Sequence, residues 1–292
     1  MRSPAPDPDT RNEVVAPLPA HLYSCRHLFP ADLTSPRPSE STRVWQGVSA
    51  LTVSSVGVLS RLFLRYFNTV WIHNRERLIQ VLEHRPKEVP VITVANHHSC
   101  MDEPLIWGML DFKHLTNSYF MRWALAAHDI CFTNRFLSNF FAYGKSIPIV
   151  RGGGVFQEGM NFCVDRLNEG RWVHLYPEGK VNVTKHIDLR LKWGVGRLIS
   201  DCNVLPIVIP IYHYGMDEIL PNSEPYFPRC GKKVTINVGE PVELAPIIKE
   251  LDSRNADPQE KRQVITEVIQ SAVRKLRKET EILHARNTFK HD

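Results

Sequence analysis

The 292-residue sequence contains no C-x-x-C pair, no G-x-S-x-G elbow, no H-E-x-x-H and no G-x-G-x-x-G behind a strand. These absences exclude a zinc ribbon or dithiol redox motif, an α/β-hydrolase serine, a zincin and a dinucleotide fold. The six cysteines (Cys25, Cys100, Cys131, Cys163, Cys202, Cys230) are too scattered for a metal site or a disulfide framework and read as free thiols. Long apolar runs are scarce. The mean hydropathy of −0.24 is too polar for a multi-span membrane protein. A net charge of +5 is too small an excess for a nucleic-acid binder, but it suits an anionic membrane surface or a phosphate-bearing substrate. With 43% hydrophobic and 23% charged residues, the chain is globular and long enough to bury a full core.

Residues 1–42 hold eight of the 21 prolines and no sustained apolar period, so a disordered tail is expected there. Its acids (Asp7, Asp9, Glu13, Asp32, Glu40) do not suit a mitochondrial transit peptide, and it lacks the apolar run of a secretory signal. An uncharged stretch of 17 residues, Val44 to Ser60, follows between Arg43 and Arg61. As a helix it is about 25 Å long, at the lower limit for a ~30 Å hydrocarbon core. Apolar and aromatic residues mixed with arginine continue to Ile72, which is interface chemistry. A segment dipping into one leaflet, a true span and a buried core helix all remain open. The inserted reading places Arg43, Val44, Trp45, Val48, Leu51, Val53, Val56, Val58, Leu59, Leu62 and Phe63 in lipid. On this reading, residues 43–72 form the interfacial segment and 73–292 the soluble domain.

From residue 74 the pattern is α/β. Asn74 is a candidate helix cap. Val89–Ala95 is a continuous β-branched run, as expected for a strand buried on both faces, and similar runs lie at 147–150, 172–176, 204–211 and 233–238. Helical stretches at 157–168 and 191–201 separate them, which predicts a mixed, mostly parallel sheet flanked by helices. Asp257-Pro258-Gln259-Glu260 opens a long amphipathic helix with capping-box spacing.

Asn96-His97-His98-Ser99-Cys100-Met101-Asp102-Glu103-Pro104 directly follows the first buried strand, where α/β sheets collect ligands. Five residues of continuous helix would turn His97 and Asp102 about 140° apart, but a strand-to-helix turn can bring them together. An Asp accepting from one ring nitrogen fixes the tautomer and leaves the other as a base for a hydroxyl. His97 could equally be a cap or a core residue, and Cys100 a nucleophile or a small buried side chain. Pro177-Glu178-Gly179 ends a second strand with an acid beside a glycine. Arg151, ahead of Gly152-Gly153-Gly154, is a candidate phosphate fork. Gly144-Lys145-Ser146 is not a P-loop, because the earlier glycine it requires is Asn139. No metal or cofactor is expected.

Taken together, His97-x₄-Asp102, Gly144 to Arg151, Pro177-Glu178-Gly179 and the proline-bounded Leu205-Pro206-Ile207-Val208-Ile209-Pro210 occur in the order of the four glycerolipid (lysophospholipid) acyltransferase blocks, and the chain resembles that family. Longer stretches, including Met121-Arg122-Trp123, Asp129 to Thr133 and Lys192 to Ile199, resemble a coenzyme A-independent transacylase branch. The resemblance implies an α/β acyltransferase that moves acyl chains from phosphatidylcholine to monolysocardiolipin. It also implies a monotopic protein on mitochondrial membranes, facing the intermembrane space. His97 would be the base, Asp102 its orienter, Arg151 a phosphate ligand, and Glu178, Gly179 and Pro206 substrate-site residues. A coenzyme A-dependent acyltransferase or an idle anionic-lipid scaffold would share the same blocks.

Overall fold

A computed structural model describes residues 43–184 and 188–291; the tail expected over 1–42 lies outside them. In chain order the elements are α1 (Arg43–Phe67), β1 (Thr69–His73), α2 (Arg75–His84), β2 (Val91–Ala95), α3 (Asp102–Ile106), α4 (Phe112–Leu115), β3 (Trp123–Ala127), α5 (His128–Cys131), α6 (Arg135–Tyr143), β4 (Ser146–Ile149), α7 (Glu158–Asn168), β5 (Trp172–Leu175), α8 (Gly194–Ser200), β6 (Ile207–Tyr214), α9 (Met216–Ile219), β7 (Lys233–Val238), α10 (Ala245–Ser253) and α11 (Pro258–His291).

The strands form one seven-stranded sheet in the order β1-β7-β6-β2-β5-β3-β4. All neighbours are parallel except β6 and β7, so the sheet is mixed and mostly parallel, as the alternating pattern predicts. Every residue of β2 is buried, and its alternate side chains enter two different cores. Ile92 and Val94 join Val173, Val208, Leu198 and Ile269. Val91 and Ala95 join Leu105, Trp107, Leu78 and Ile211. Helices α2, α3 and α4 therefore cover one face and α7, α8 and α11 the other.

Two strands differ from expectation. Val70, Trp71 and Ile72, read as interfacial, form edge strand β1 paired with β7; a half-exposed aromatic strand has the same composition as an interfacial stretch. Strand β3 (Trp-Ala-Leu-Ala-Ala) has poor β propensity, and pairing on both sides, with β4 and β5, makes it a strand. Asn74 does precede α2, but in the left-handed region and without a capping side-chain bond. Its amide donates instead to Asn237 Oδ1 (2.8 Å).

Helix α1 runs 25 residues, about 37 Å, because Arg61 and Arg65 do not interrupt it. Trp45, Ser49, Val53, Gly57, Ser60 and Leu64 form its buried stripe, at the three-to-four spacing of one helix face. Trp45 stacks on Trp123 at 6.4 Å, and Ser49 Oγ donates to the Tyr143 carbonyl (2.7 Å). At Gly57 a Cβ would come within 2.9 Å of Leu115, so glycine lets the helix approach closely. The expected lipid-facing set is corrected by this packing. Trp45 and Val53 are 8% and 3% exposed, since they fall on the stripe that faces the domain. Val44, Val48, Leu51, Leu59 and Leu62 lie on the outward side and are exposed. Arg43 is also exposed, and Val56, Val58 and Phe63 are intermediate.

Candidate active site

At Ala95 the β2 ladder stops and the chain turns through Asn96, His97, His98 and Ser99 before α3 begins at Asp102. Asn96 stitches the turn to β6, donating from Nδ2 to the His213 carbonyl (3.0 Å) and accepting the His213 N–H (2.9 Å). The Asn182 N–H donates to the His97 carbonyl (2.6 Å), Asn222 Nδ2 to the His98 carbonyl (2.7 Å), and Ser99 Oγ to the Leu220 carbonyl (2.9 Å). Loops after β5 and β6 therefore hold the turn.

Inside it, the turn brings the two residues five apart into contact. His97 Nδ1 lies 2.9 Å from Asp102 Oδ2. The same oxygen accepts the His98 and Ser99 N–H groups at 2.6 and 2.8 Å, and His213 Nε2 lies 3.5 Å away. Asp102 is fully buried. Burial alone would raise its carboxyl, but the neighbouring His213 charge, the His97 bond and charge, and the Ser99 N–H outweigh it and hold the carboxyl below its ordinary range. An ionised carboxylate only accepts, so Nδ1 is the donor, and the neutral imidazole has its free lone pair on Nε2. The His97 side chain is 20% exposed.

The imidazole stacks on Tyr176 (4.3 Å between centroids, 21° between planes). Tyr176 donates to Glu103 Oε2 (3.4 Å), and Glu103 also accepts from Arg122 Nε (2.7 Å) and Trp107 Nε1 (3.1 Å). Sequence reasoning places Tyr176, Glu103 and Arg122 within motifs but gives them no role. Glu103 adjoins Asp102 in the chain, which is a usable signal. His213, more than a hundred residues away, offers none.

Glu178 lies at the turn, accepting the His97 N–H on Oε1 (3.1 Å). Burial pushes its carboxyl up to about 7, against the pull of the His97 N–H and the Asn182 amide. Folding therefore takes up a proton at Glu178 between the ordinary carboxylate range and about pH 7. The stability linked to this group is fully present below that window and is lost as pH rises through it. Glu178→Gln should flatten that part of the stability profile, a difference of about 3 kcal/mol across the window, read by urea unfolding. Equal slopes in both proteins would refute the assignment. Gly179 sits at φ 71° with Lys192 close by, in the left-handed region that favours glycine.

Two expected substrate residues do not touch the turn. Pro206 precedes β6 beside the start of β2, with Val91 opposite Ile207. His97 follows the other end of β2, roughly 13 Å along the strand. The proline-bounded run is a central strand, and only its far end, at His213, reaches the site. Arg151 follows β4 at the same end of the sheet as His97, but three strands across. It is half-exposed and paired with Asp129. Burial and the Asp102 charge push the Cys100 thiol above its ordinary range, which disfavours the thiolate form a nucleophile needs. Cys131, Cys163, Cys202 and Cys230 are also free. Asn182-Val183-Thr184 matches a glycosylation sequon, but Asn182 is buried and closed to a glycan. Among the described residues no group of three His, Cys, Asp or Glu side chains could hold a metal ion.

A buried carboxylate orienting a histidine at the strand ends of a mostly parallel sheet is an arrangement able to support general-base chemistry on a hydroxyl. Residues 72–213 match the family model "Acyltransferase". The chain is 48% identical over 253 residues to the tafazzin of Drosophila melanogaster, covering 87% of this chain and 67% of that protein. It is 40% identical over 215 residues to the N-acylphosphatidylethanolamine synthase of Arabidopsis thaliana, covering 70% and 76% respectively. Its fold is similar to the crystal structure of the 1-acyl-sn-glycerophosphate acyltransferase PlsC of Thermotoga maritima (TM-score 0.54, 18% identity, 86% of this chain and 90% of that one). The chain belongs to the tafazzin family of acyltransferases and is an acyltransferase enzyme.

Proposed function

We propose that this enzyme moves a fatty acyl chain from one phospholipid to the free hydroxyl of a lysophospholipid, from phosphatidylcholine to monolysocardiolipin, without coenzyme A. The observation that carries the general-base part of this reading is the His97–Asp102 pair, in which the carboxylate is pinned by two backbone N–H groups and the imidazole is partly exposed. The likeness to the Drosophila tafazzin supports the choice of lipids. His97 Nε2 takes the proton of the acceptor hydroxyl, and Asp102 stabilises the imidazolium. The acceptor oxygen attacks the donor ester carbonyl. When the tetrahedral intermediate collapses, the acyl–oxygen bond of the donor breaks and His97 returns the proton to the departing lysolipid oxygen. Glu178 and Gly179 shape the acceptor side, and Arg151 exchanges its Asp129 partner for a lipid phosphate. The outward face of α1 lies in one leaflet of a mitochondrial membrane, facing the intermembrane space. The likeness to the N-acylphosphatidylethanolamine synthase favours a second reading, in which the acceptor is a phosphatidylethanolamine amine.

Labelled phosphatidylcholine vesicles carrying monolysocardiolipin or phosphatidylethanolamine, with and without acyl-coenzyme A, separate these cases. Label appearing in cardiolipin without the thioester supports the first reading. Transfer to the amine alone supports the second, and transfer only from the thioester overturns both. Cys100→Ser should leave the rate unchanged; its complete loss would revive a thiol nucleophile.

A further inference from the structure

Helix α6 is built inside out. Its buried positions are the small Ser138 and Ala142, while Phe136 and Phe140, one turn apart on the opposite side, are 78% and 43% exposed. Ile130, just before it on α5, is 54% exposed. Exposed aromatics aligned on one helix face are not explained by packing among the described residues. Their neighbour is α1, which packs beside α6 through Trp45 against Tyr143 and Ser49 against the Tyr143 carbonyl. The outward face of α1 is apolar in the same way.

Charge tells what covers this surface. Exposed Arg43 and Arg135 open α1 and α6, neither helix carries an acid, and Asp129 on α5 is already paired with Arg151. Arg61 is turned inward, donating to the Leu110 carbonyl beside Asp111. Exposed arginine beside apolar and aromatic residues, on helices that carry no acid, complements an anionic lipid surface. Position adds the third observation. Strand β3 runs parallel to β5, and β5 to β2, so α5 and the start of α6 lie at the same end of the sheet as the His97 turn.

We propose that Ile130, Phe136 and Phe140 form a second lipid-inserting patch, distinct from α1, that brings the bilayer surface to the edge of the sheet where His97 opens. A single docked helix leaves the domain free to swivel about its axis. Two contacts define a plane, and the plane holds the histidine at the depth where lipid esters lie. The inference rests on the lipid-surface reading above but not on the acyl-transfer chemistry.

Vesicles of phosphatidylcholine and cardiolipin test it with the full chain. Phe136→Trp should gain emission quenched by brominated acyl chains, whereas Ile282→Trp, on α11 in the opposite helical layer and 68% exposed, should not. Phe136→Ser with Phe140→Ser, at exposed positions that leave the core intact, should weaken vesicle partitioning by about tenfold or more. If the parent chain binds but the indole introduced by Phe136→Trp is equally open to aqueous iodide with and without vesicles, the patch is overturned and α1 docking stands alone. Shielding from iodide without quenching by bromolipid assigns the patch to a protein partner and overturns it too. No binding by the parent chain at all defeats the lipid-surface reading itself.

Discussion

His97→Ala should lower acyl transfer by roughly 10²–10⁴-fold, the usual worth of a positioned general base, with thermal unfolding unchanged. The side chain is partly exposed and carries little of the core. The groups that brace the turn at this residue, its N–H on Glu178 and its carbonyl under Asn182, belong to the backbone and survive the substitution. His97→Asn sharpens the test, because an amide nitrogen can take the place of Nδ1 and donate to Asp102 without supplying a base. Both variants should be folded and comparably slow. Asparagine with parental activity would show that His97 orients Asp102 and does not accept a proton.

The second large effect is at Asp102, where stability and activity should separate. Asp102→Ala removes the acceptor of the His98 and Ser99 N–H groups and of His97 Nδ1, leaving buried donors without partners. The expected cost is about 3–5 kcal/mol, enough to deplete the folded state. Asp102→Asn can keep an oxygen toward the three donors and place its amide where Oδ1 sits, a buried position with no hydrogen-bond partner. Its stability loss should be smaller, about 1–3 kcal/mol, while activity falls as far as in His97→Ala, because the negative charge that stabilises the imidazolium is gone. Denaturant melts beside initial rates read the two quantities. An asparagine variant with parental rates would show that the carboxylate shapes the turn and contributes no charge to the reaction.

The His97–Asp102 contact was legible because its geometry is local. Two side chains five residues apart behind a buried strand meet only through a turn, and Asn96, Ser99 and the N-terminus of α3 supply it. Glu178 was legible for a similar reason, as the acid where a second strand ends. Tyr176, Glu103 and His213 were not assigned, since what they do depends on which strands become neighbours. Tyr176 faces His97 because β5 lies beside β2, and His213 reaches Asp102 because β6 lies on the other side. Pro206 misled for the converse reason. A proline-bounded run marks a central strand, but only pairing shows which of its ends faces the site.

Hydrophobic period and β-branched runs by themselves determined a mostly parallel α/β sheet and a long capped C-terminal helix, and the strand-to-helix spacing marked His97 and Asp102 as a candidate pair, because these properties depend on residues close in the chain. The tertiary structure alone decided that β1 and β3 are strands, that Trp45 and Val53 turn inward while Val44 and Leu51 turn outward, and that α6 shows its phenylalanines to the outside. Each of these is settled by a neighbour distant in sequence, and composition is blind to which face of an element its neighbour will cover.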